Sequence, residues 1–525
     1  MMEEEINEKL AGKGVSRRSV LKGAVTLGAM TVGGGLALNM AAPGSAEAMV
    51  RKLPTKWDET WDVVVVGSGF AGLAAAAEAA GAGSKVVILE KMPIYGGNSI
   101  INGGGYGSWD DKEHLRKKLN LGEDSPKQHF DDTLKGGDYY NIPELVDVMV
   151  DGAPGALNWM MDEGGLKLRE VLNRGGGHTA YRAHFSQDSS GRDYTEALKK
   201  IAEKRGAKIV PNSEVTWIWR KDADPKSPVL GVQVKRSRKT LNVRAKKAVI
   251  IASGGFSQDI KMRTDHYPKL VAAFNCTNQK GATGEMIRFT QAVGADTLQM
   301  NFIQLYPFAE PESGTLDNPA VYPFSGPGRG CIYVNKLGKR FVSELERRDV
   351  CAFAQIGMGD KMKPTYTIFS AAMVPLMGGK PHEVEAGLKK GRFITADTIG
   401  ELAKKLGIPA DALEKTVNDH NRYLQEGKDP EFNKPISKAM VPMDKGPFYA
   451  VAQWPAVHHT MGGLRINKNA QVIDVFGFVI PGLYAAGEVA GGVHGSNRLG
   501  TNATADCVVF GRVAGTNAAK EKPMA

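Results

Sequence analysis

The chain has little cysteine and no cysteine motif. Its 525 residues include four cysteines, which stand apart at Cys276, Cys331, Cys351 and Cys507. An iron–sulfur cluster or a covalently attached c-type haem needs closely spaced cysteines, as in Cys-x-x-Cys or Cys-x-x-Cys-His, and neither spacing occurs. We therefore predict no metal site in this chain, so that any metal-based electron carrier is a separate protein.

Internal repeats, low-complexity tracts and nucleic-acid-binding patterns are also absent. The basic residues are scattered, without a stripe of aromatic and basic side chains, so no nucleic-acid partner is expected. A composition of 24% charged and 42% hydrophobic residues excludes a disordered or fibrous protein, and the length predicts two or more globular domains. The net charge of +10 indicates either a surface for an acidic redox partner or an ordinary solvated face.

The first 48 residues have the pattern of an export signal. Arg17 and Arg18 precede a weakly apolar, glycine-rich run over 23–40, and Ala46-Glu47-Ala48 supplies the small residues that a signal peptidase needs. Paired arginines before such a run resemble a twin-arginine signal, whose pathway exports folded proteins, so we predict a periplasmic protein. The alternative is a membrane anchor, which the glycines disfavour. No other candidate span follows, and membrane association is expected only through a donor protein or an uncleaved signal.

A glycine-rich turn between two apolar strands is the strongest signal. The strand over 62–66 leads into Gly67-Ser68-Gly69-Phe70-Ala71-Gly72, and a second strand over 85–89 ends in Glu90, 18 residues after the last glycine of the turn. This pattern lets the backbone approach a pyrophosphate at a helix N-terminus, while the acid accepts from ribose hydroxyls and repels a 2′-phosphate. The alternative is an ordinary tight turn. The predicted contacts with a dinucleotide are Gly67, Gly69, Ala71, Gly72 and Glu90.

Further loops favour FAD over NAD, because a long flavin dinucleotide is usually held by discontinuous segments. Glycine-rich stretches follow at 93–105 and 252–255, and an apolar strand over 482–486 ends in another glycine and acid. A C-terminal helix from about 501 begins where its amides would face the carbonyl edge of the flavin. The contacts predicted from these segments are Gly96, Gly97, Asn98, Ser99, Gly103, Gly104, Ala252, Gly254, Gly487, Glu488 and Asn502.

Three motifs together resemble those of a known family. They are H-H-T-M-G-G at 458–463, R-F-V-S-E-L-E-R-R-D at 340–349, and A-G-E-V-A-G-G-V-H-G-S-N-R-L-G at 486–500. In these motifs, and over about 57–519, the chain is similar to the flavoprotein part of soluble flavocytochrome c fumarate reductases. These FAD enzymes reduce the C=C bond of fumarate, urocanate and other acrylates. The resemblance implies an α/β fold, with a Rossmann-like FAD-binding domain of the fumarate reductase and succinate dehydrogenase flavoprotein type and an inserted α+β capping domain.

The resemblance also implies a domain layout and a partner. The FAD-binding domain would comprise 57–300 and 458–525, around a capping or clamp domain at 301–457 that closes over the flavin. Helical patterns over 398–406 and 409–425 fall inside this insert. Many family members carry haems on the same chain, so the lack of haem motifs implies a separate c-type cytochrome as electron donor. Membrane-bound relatives attach FAD to a histidine near the glycine-rich stretch; none lies between 62 and 110, so the FAD is expected to be non-covalent.

By motif match, His458 and Arg498 bind the substrate carboxylate and Arg348 donates the proton. Polarising the carboxylate makes the β carbon electrophilic toward a hydride from flavin N5. A guanidinium hardly deprotonates in proteins, so Arg348 would need a relay that reprotonates it at once. The Ser/Thr-Glu-x-x-Arg relay of fumarate-reducing relatives is replaced here by P-F-S-G-P at 323–327. Substitutes left open are Arg329, Arg347 and Asp349; alternatively, Arg348 only forms a surface salt bridge with Asp349 or Glu344.

Tyr306 stands where fumarate reductases have the histidine that holds the second carboxylate. The chain reads Q-L-Y-P-F at 304–308 in place of Q-A-H-P-T, so a dicarboxylate would leave a buried charge unpaired. Urocanate reductases resemble the chain at Tyr306 but carry a downstream acid that is missing here. We therefore rank aryl- or alkyl-acrylates above urocanate, and urocanate above fumarate, against an aromatic wall of Tyr306, Phe308, Tyr322 and Phe324. Alternatively, these aromatics only pack the core of the clamp.

Two other functions remain open. One is a flavin dehydrogenase or oxidase of the same superfamily, such as a ketosteroid dehydrogenase, although the pair His458 and Arg498 argues against a neutral steroid. The other is a flavin electron carrier without a substrate of its own, because the proton relay is degraded.

Overall fold

The computed structural model describes residues 51–524 apart from 271 and 273. The export signal predicted at 1–48 lies outside the described residues. Within them, no helix has the length and apolar character needed to span a bilayer.

The described residues form a mixture of strands and helices. The strands are β1 (Glu59–Val66), β2 (Val86–Leu89), β3 (Gly105–Gly107), β4 (Leu168–Asn173), β5 (Ala183–Ser186), β6 (Lys208–Val210), β7 (Ser213–Arg220), β8 (Val229–Arg236), β9 (Lys239–Ile251), β10 (Thr297–Leu298), β11 (Ile303–Ala309), β12 (Ile332–Val334), β13 (Thr365–Ser370), β14 (Phe393–Ala396), β15 (Phe448–Thr460), β16 (Gly463–Leu464), β17 (Gln471–Ile473) and β18 (Val479–Ala485). The α-helices are α1 (Phe70–Gly81), α2 (Gly97–Ile101), α3 (Leu115–Lys118), α4 (Pro126–Gly136), α5 (Pro143–Asp162), α6 (Gly191–Lys204), α7 (Ile260–His266), α8 (Glu285–Ala292), α9 (Val321–Ser325), α10 (Arg348–Gly357), α11 (Met373–Leu376), α12 (Pro381–Lys389), α13 (Ile399–Leu406), α14 (Ala410–Glu426) and α15 (Asn502–Lys520).

An eight-stranded sheet carries the fold. Its order is β17-β18-β9-β1-β2-β6, and the hairpin of β7 and β8 extends it beside the first half of β9. Five neighbouring strands of this sheet run parallel to one another: β18, β9, β1, β2 and β6. Residues 63–66 of β1 and 248–251 of β9 are buried, as expected for apolar strands covered on both faces. Parallel strands place their carboxyl ends at one edge of the sheet, and the glycine-rich turn after β1 lies there.

The C-terminal helix α15 packs against α1, the helix that follows the glycine-rich turn. Two glycines permit the close approach. A Cβ at Gly511 would lie 2.5 Å from the carbonyl oxygen of Ala71, and one at Gly515 would lie 2.2 Å from that of Ala75. Larger residues at these positions would push α15 away from α1, and with it the first turn of α15.

A second, five-stranded sheet lies in the segment predicted to be inserted. Its order is β11-β15-β13-β12, with β14 also paired to β15, and all pairs are antiparallel. The segment has a core of its own, in which Tyr322 stacks on Phe369 and meets Phe393 edge-on. The boundary predicted between 457 and 458 falls inside β15. The domain limits stay a prediction.

The predicted fold class is confirmed: the chain is α/β with a central parallel sheet. Within the insert, α13 and α14 match the predicted helices to within one residue at each end. The start of α13 was predictable because threonine is a favoured residue at a helix N-cap. In the structure the Thr398 hydroxyl oxygen accepts a hydrogen bond from the backbone N–H of Glu401 at 3.2 Å.

Candidate active site

The carboxyl ends of β1, β2, β9 and β18 surround a cavity with an empty volume of about 930 Å³, which we call the cofactor cavity. Ligands of open parallel sheets bind at this edge. Most of the predicted cofactor contacts lie on its wall. They are Gly67, Gly69, Ala71, Glu90, Gly97, Asn98, Ser99, Ala252, Gly254, Gly487 and Glu488.

The other predicted cofactor contacts lie elsewhere. Gly103 lines a neighbouring cavity, and neither wall includes Gly72, Gly96, Gly104 or Asn502. The Asn502 side chain contacts His129 Nε2 through Oδ1 at 3.0 Å and donates to the Thr133 hydroxyl from Nδ2, also at 3.0 Å. These contacts join the start of α15 to α4, and a cofactor contact of Asn502 stays a prediction.

The turn after β1 is shaped for a close approach of its backbone to a ligand. Gly67 has a φ of +102°, and a Cβ there would lie 2.4 Å from the carbonyl oxygen of Ala252. A Cβ at Gly72 would lie 2.0 Å from the carbonyl oxygen of Gly67. Gly72 thus serves the turn itself, and only glycine fits at either position.

Glu90 fastens this turn from the end of β2. Its Oε2 accepts from the backbone N–H of Ser68 at 3.1 Å and from the Ser68 hydroxyl at 2.6 Å, and its Oε1 accepts from the N–H of Met92 at 2.8 Å. Carboxylate oxygens hold further lone pairs, so Glu90 can also accept from a ribose. On the same wall, the Ser253 hydroxyl is buried without a hydrogen-bond partner among the described residues. A glycine cradle, an acid and an unsatisfied hydroxyl fit a dinucleotide.

A second cavity, with an empty volume of about 940 Å³, adjoins the first; we call it the arginine cavity. The wall residues that the two cavities share are Phe70, Asn98, Ser99, Glu488 and Cys507. All four predicted catalytic residues line the arginine cavity: Tyr306, Arg348, His458 and Arg498. Much of the remaining wall is apolar, from Ile101, Phe185, Leu316, Val321 and Phe324.

Gln304 joins the two guanidiniums of the arginine cavity. Its Oε1 accepts from Nη2 of Arg498 at 2.9 Å and from Nη1 of Arg348 at 3.2 Å. Its Nε2 donates to Oδ1 of Asn497 at 2.6 Å and to the carbonyl oxygen of Arg498 at 2.7 Å, which fixes the amide. Sequence reasoning did not assign Gln304 a role, although it begins the Q-L-Y-P-F stretch that was compared with the family pattern.

The arginine cavity concentrates positive charge away from bulk water. Burial lowers the pKa of Arg348 to about 10. Burial, and after it the positive charge of Arg348, holds the pKa of Arg498 well below its usual value. The Nε atoms of both residues are buried and have no hydrogen-bond partner in the described part of the chain. Two cations that share one neutral amide oxygen form a site for an anion.

His458 completes this group from strand β15. Its Nδ1 lies 2.6 Å from the hydroxyl oxygen of Thr277. Burial, and then the charges of Arg348 and Arg498, keep the pKa of His458 well below its usual value, so the ring is neutral. Because β11 and β15 are adjacent strands, the rings of Tyr306 and His458 approach to 4.9 Å between centroids. Because Nδ1 contacts Thr277, Nε2 is the nitrogen of His458 that can bind a ligand.

Tyr306 presents its ring, rather than its hydroxyl, to the site. The hydroxyl donates to the carbonyl oxygen of Ala320 at 2.9 Å, and burial raises its pKa to about 12. The guanidinium carbon of Arg348 lies 4.8 Å from the centroid of this ring and 5.5 Å from that of Phe324. Of the predicted aromatic wall, Tyr306 and Phe324 line the cavity. The other two pack outside it: Phe308 behind Tyr306, and Tyr322 in the core of the second sheet.

The residues considered as relay partners or salt-bridge partners of Arg348 have other contacts. Arg347 pairs with Asp138 and Asp349, and Glu344 pairs with Arg340 and Lys434. Arg329 donates to the carbonyl oxygen of Leu172 at 2.8 Å. Arg348 instead faces the cavity.

The chain is similar in sequence and in fold to known flavoproteins. A family profile described as FAD binding domain matches residues 62–504. The chain is 36% identical to the urocanate reductase of Eggerthella lenta over 90% of this chain and 77% of that protein. It is 34% identical to the acrylate reductase flavoprotein subunit of Shewanella woodyi, over 95% and 97% of the two chains. The solved open conformation of a flavocytochrome c3 fumarate reductase superposes with a TM-score of 0.68 and 34% identity, covering 88% of this chain and 79% of that one. FAD is thus confirmed as the cofactor, and the FAD-binding fold is confirmed with it.

Proposed function

This chain belongs to the FAD-dependent oxidoreductase family of fumarate, urocanate and acrylate reductases, which act on C=C bonds, and we propose that it reduces an α,β-unsaturated carboxylate with an apolar substituent. The observation that carries the proposal is the arginine cavity. Arg498, Arg348 and His458 meet there, next to the cofactor cavity and against an apolar wall.

The side chains divide the work of the reaction. When FAD is bound, N5 of its isoalloxazine ring would supply the hydride. Arg498 and the Nε2–H of His458 hold the substrate carboxylate, and their hydrogen bonds tighten as charge builds on it in the transition state. The electron-poor β carbon would accept that hydride while Arg348 delivers a proton to the neighbouring carbon, and the neutral guanidine then has to regain a proton before the next turnover. The lowered pKa of Arg348, about 10, makes proton release easier than from an exposed guanidinium.

The wall of the arginine cavity supports the order aryl- or alkyl-acrylate, then urocanate, then fumarate. Among the described residues of this wall, no lysine or further arginine stands ready for a second carboxylate. An unpaired carboxylate in an apolar cavity is costly, whereas Phe185, Phe324 and Leu316 would pack against an aryl or alkyl group. The hydroxyl of Tyr306 is already bound to the backbone and would not be free for a polar far end.

We also propose the partner, the location and the mode of FAD binding that the sequence implies. The electron donor is a separate c-type cytochrome, because the cysteines cannot hold haem. A relative that is itself named a flavoprotein subunit, and that matches this chain over nearly its whole length, supports a separate donor. The protein is exported to the periplasm by a twin-arginine signal, and the FAD is held without a covalent bond.

A substrate panel tests the proposed function. Purified FAD-loaded protein is mixed with reduced methyl viologen, and reoxidation is followed with cinnamate, methacrylate, urocanate and fumarate in parallel. We expect the highest kcat/KM for cinnamate or methacrylate and the lowest for fumarate. The saturated acid 3-phenylpropanoate is the matched control and should not accelerate reoxidation.

Other outcomes would replace the proposal. No acceleration by any of the four acids would favour an electron carrier. Oxygen or quinone consumption with a saturated substrate would favour a dehydrogenase. A preference for fumarate would mean that the far end of the substrate is bound by groups outside the apolar wall.

A further inference from the structure

Thr277 contacts the histidine that is proposed to bind the carboxylate. Its Oγ1 lies 2.6 Å from Nδ1 of His458. Its backbone N–H donates to the carbonyl oxygen of Val457 at 2.9 Å, and the N–H of Val457 donates to the carbonyl oxygen of Asn275 at 2.8 Å. The loop that carries Thr277 is thus fastened to β15 at the residue before His458, so the hydroxyl and the ring keep a fixed register.

The position of one proton decides what His458 can bind. A neutral imidazole has a single N–H, and a carboxylate only accepts hydrogen bonds. His458 can therefore hold a carboxylate through Nε2 only when Nε2 carries the proton. Nδ1 then has to accept a hydrogen bond, and Thr277 is the residue in contact with it.

The hydroxyl hydrogen of Thr277 has two acceptors within reach. These are Nδ1 of His458 at 2.6 Å and Oδ1 of Asn278 at 3.1 Å. Donation to Asn278 would leave the ring proton on Nδ1, and the lone pair of Nε2 would then repel a carboxylate. The shorter distance favours donation to Nδ1 of His458. The neighbouring guanidiniums favour the same arrangement, because they attract the substrate carboxylate that a ring protonated on Nε2 can also bind.

We propose that Thr277 is a positioning residue that donates to Nδ1 of His458, keeps the ring proton on Nε2 and so makes the ring a donor to the substrate carboxylate. The inference rests on the proposed function, since it concerns the binding of the same substrate group.

Two substitutions separate this role from packing. Thr277→Val removes the hydroxyl at nearly constant volume, and Thr277→Ser keeps it. In the FAD-loaded protein we expect Thr277→Val to raise KM for cinnamate by about tenfold, as for a lost hydrogen bond, with kcat less affected. Thr277→Ser should stay close to the wild type. Thr264→Val is a control, because that hydroxyl donates only within α7.

The tautomer itself gives a reading that needs no turnover. In protein labelled with ¹⁵N-histidine and loaded with FAD, the ring signals of His458 are assigned by their loss in His458→Gln. With 3-phenylpropanoate bound, we expect a protonated Nε2 and an unprotonated Nδ1 in the wild type and in Thr277→Ser.

Each of three results would overturn the inference. The ring of His458 could be protonated on Nδ1, Thr277→Val could keep the wild-type KM, or Thr277→Ser could be as impaired as Thr277→Val. Should Thr277→Val fail to fold, the tautomer in the wild type and in Thr277→Ser still decides. If the ring is protonated on Nε2 but the protein reduces no acrylate, the proposed function is wrong, whereas the role of Thr277 in setting the tautomer is retained.

Discussion

The cofactor cavity and the arginine cavity share a wall but are built in different ways. Much of the wall of the cofactor cavity comes from turns that directly follow strands, and its shape depends on backbone conformations such as that of Gly67. The arginine cavity is made of side chains from segments far apart in the chain, including Thr277, Tyr306, Arg348 and Arg498. A backbone cradle binds what every dinucleotide shares, whereas a cluster of side chains selects one substrate.

This difference predicts separable defects. A change that blocks the backbone cradle of the cofactor cavity should remove the flavin, and with it every activity. A change in the arginine cavity should leave the flavin in place and affect turnover or substrate choice.

The largest effect is expected from Gly67→Ala. The new Cβ would lie 2.4 Å from the carbonyl oxygen of Ala252, at a φ of +102° that disfavours any side chain. We expect purified Gly67→Ala to contain no FAD, as measured by absorbance at 450 nm against protein concentration. Gly83→Ala is the matched control, because Gly83 also has a positive φ but a Cβ added there would have no atom within 4 Å. It should retain FAD and lose about 1 to 2 kcal/mol of stability; equal flavin loss in both variants would contradict the role of the close contact.

Arg348→Ala is expected to have the next largest effect, and on turnover alone. Loss of a proton donor costs about 10² to 10⁴ in rate, so kcat for cinnamate should fall by about three orders of magnitude. FAD content and the spectral shift caused by a bound carboxylate should persist.

Arg347→Ala is the control for this substitution. The neighbouring guanidinium pairs with Asp138 and Asp349 rather than facing the cavity, so its removal should change kcat only a few-fold. Near-normal turnover in Arg348→Ala would remove that residue as the proton donor. Loss of flavin from it would break the separation between the two cavities.

The smallest expected effect concerns Glu488, on the wall common to both cavities. Burial raises the pKa of this carboxyl to about 7. A carboxyl whose pKa is higher in the folded than in the unfolded state contributes stability at low pH, and this contribution is lost as pH rises through the folded pKa. The free energy of unfolding should therefore decline from about pH 4 until the pH has risen through about 7, by on the order of 3 kcal/mol. Urea unfolding of the FAD-saturated wild type and of Glu488→Gln should show this decline only in the wild type; parallel curves would mean that Glu488 titrates normally.

Much of the fold was predictable because its signals are local. The valines of β1, the glycines that follow them and Glu90 are close in sequence, and strand geometry brings them together without help from distant segments. The family motifs likewise brought Arg348, His458 and Arg498 to attention, and the structure places all three on one cavity wall.

The contacts that set the chemistry could not be read in this way. Nothing near Tyr306 in the sequence indicates that its hydroxyl is bound to the carbonyl oxygen of Ala320. Nothing near Gln304 indicates that one amide oxygen accepts from two arginines. Phe185 reaches the apolar wall from β5, far from the other aromatics in the chain.

The sequence by itself determined the class of fold, the place of the dinucleotide turn and the types of residue available for catalysis, because these depend on neighbours along the chain. The tertiary structure decided which atoms of those residues face the cavity, which are satisfied by the backbone, and how far their pKa values move. The physical reason is that hydrogen bonding and desolvation depend on atoms brought together by folding, whatever their separation in sequence.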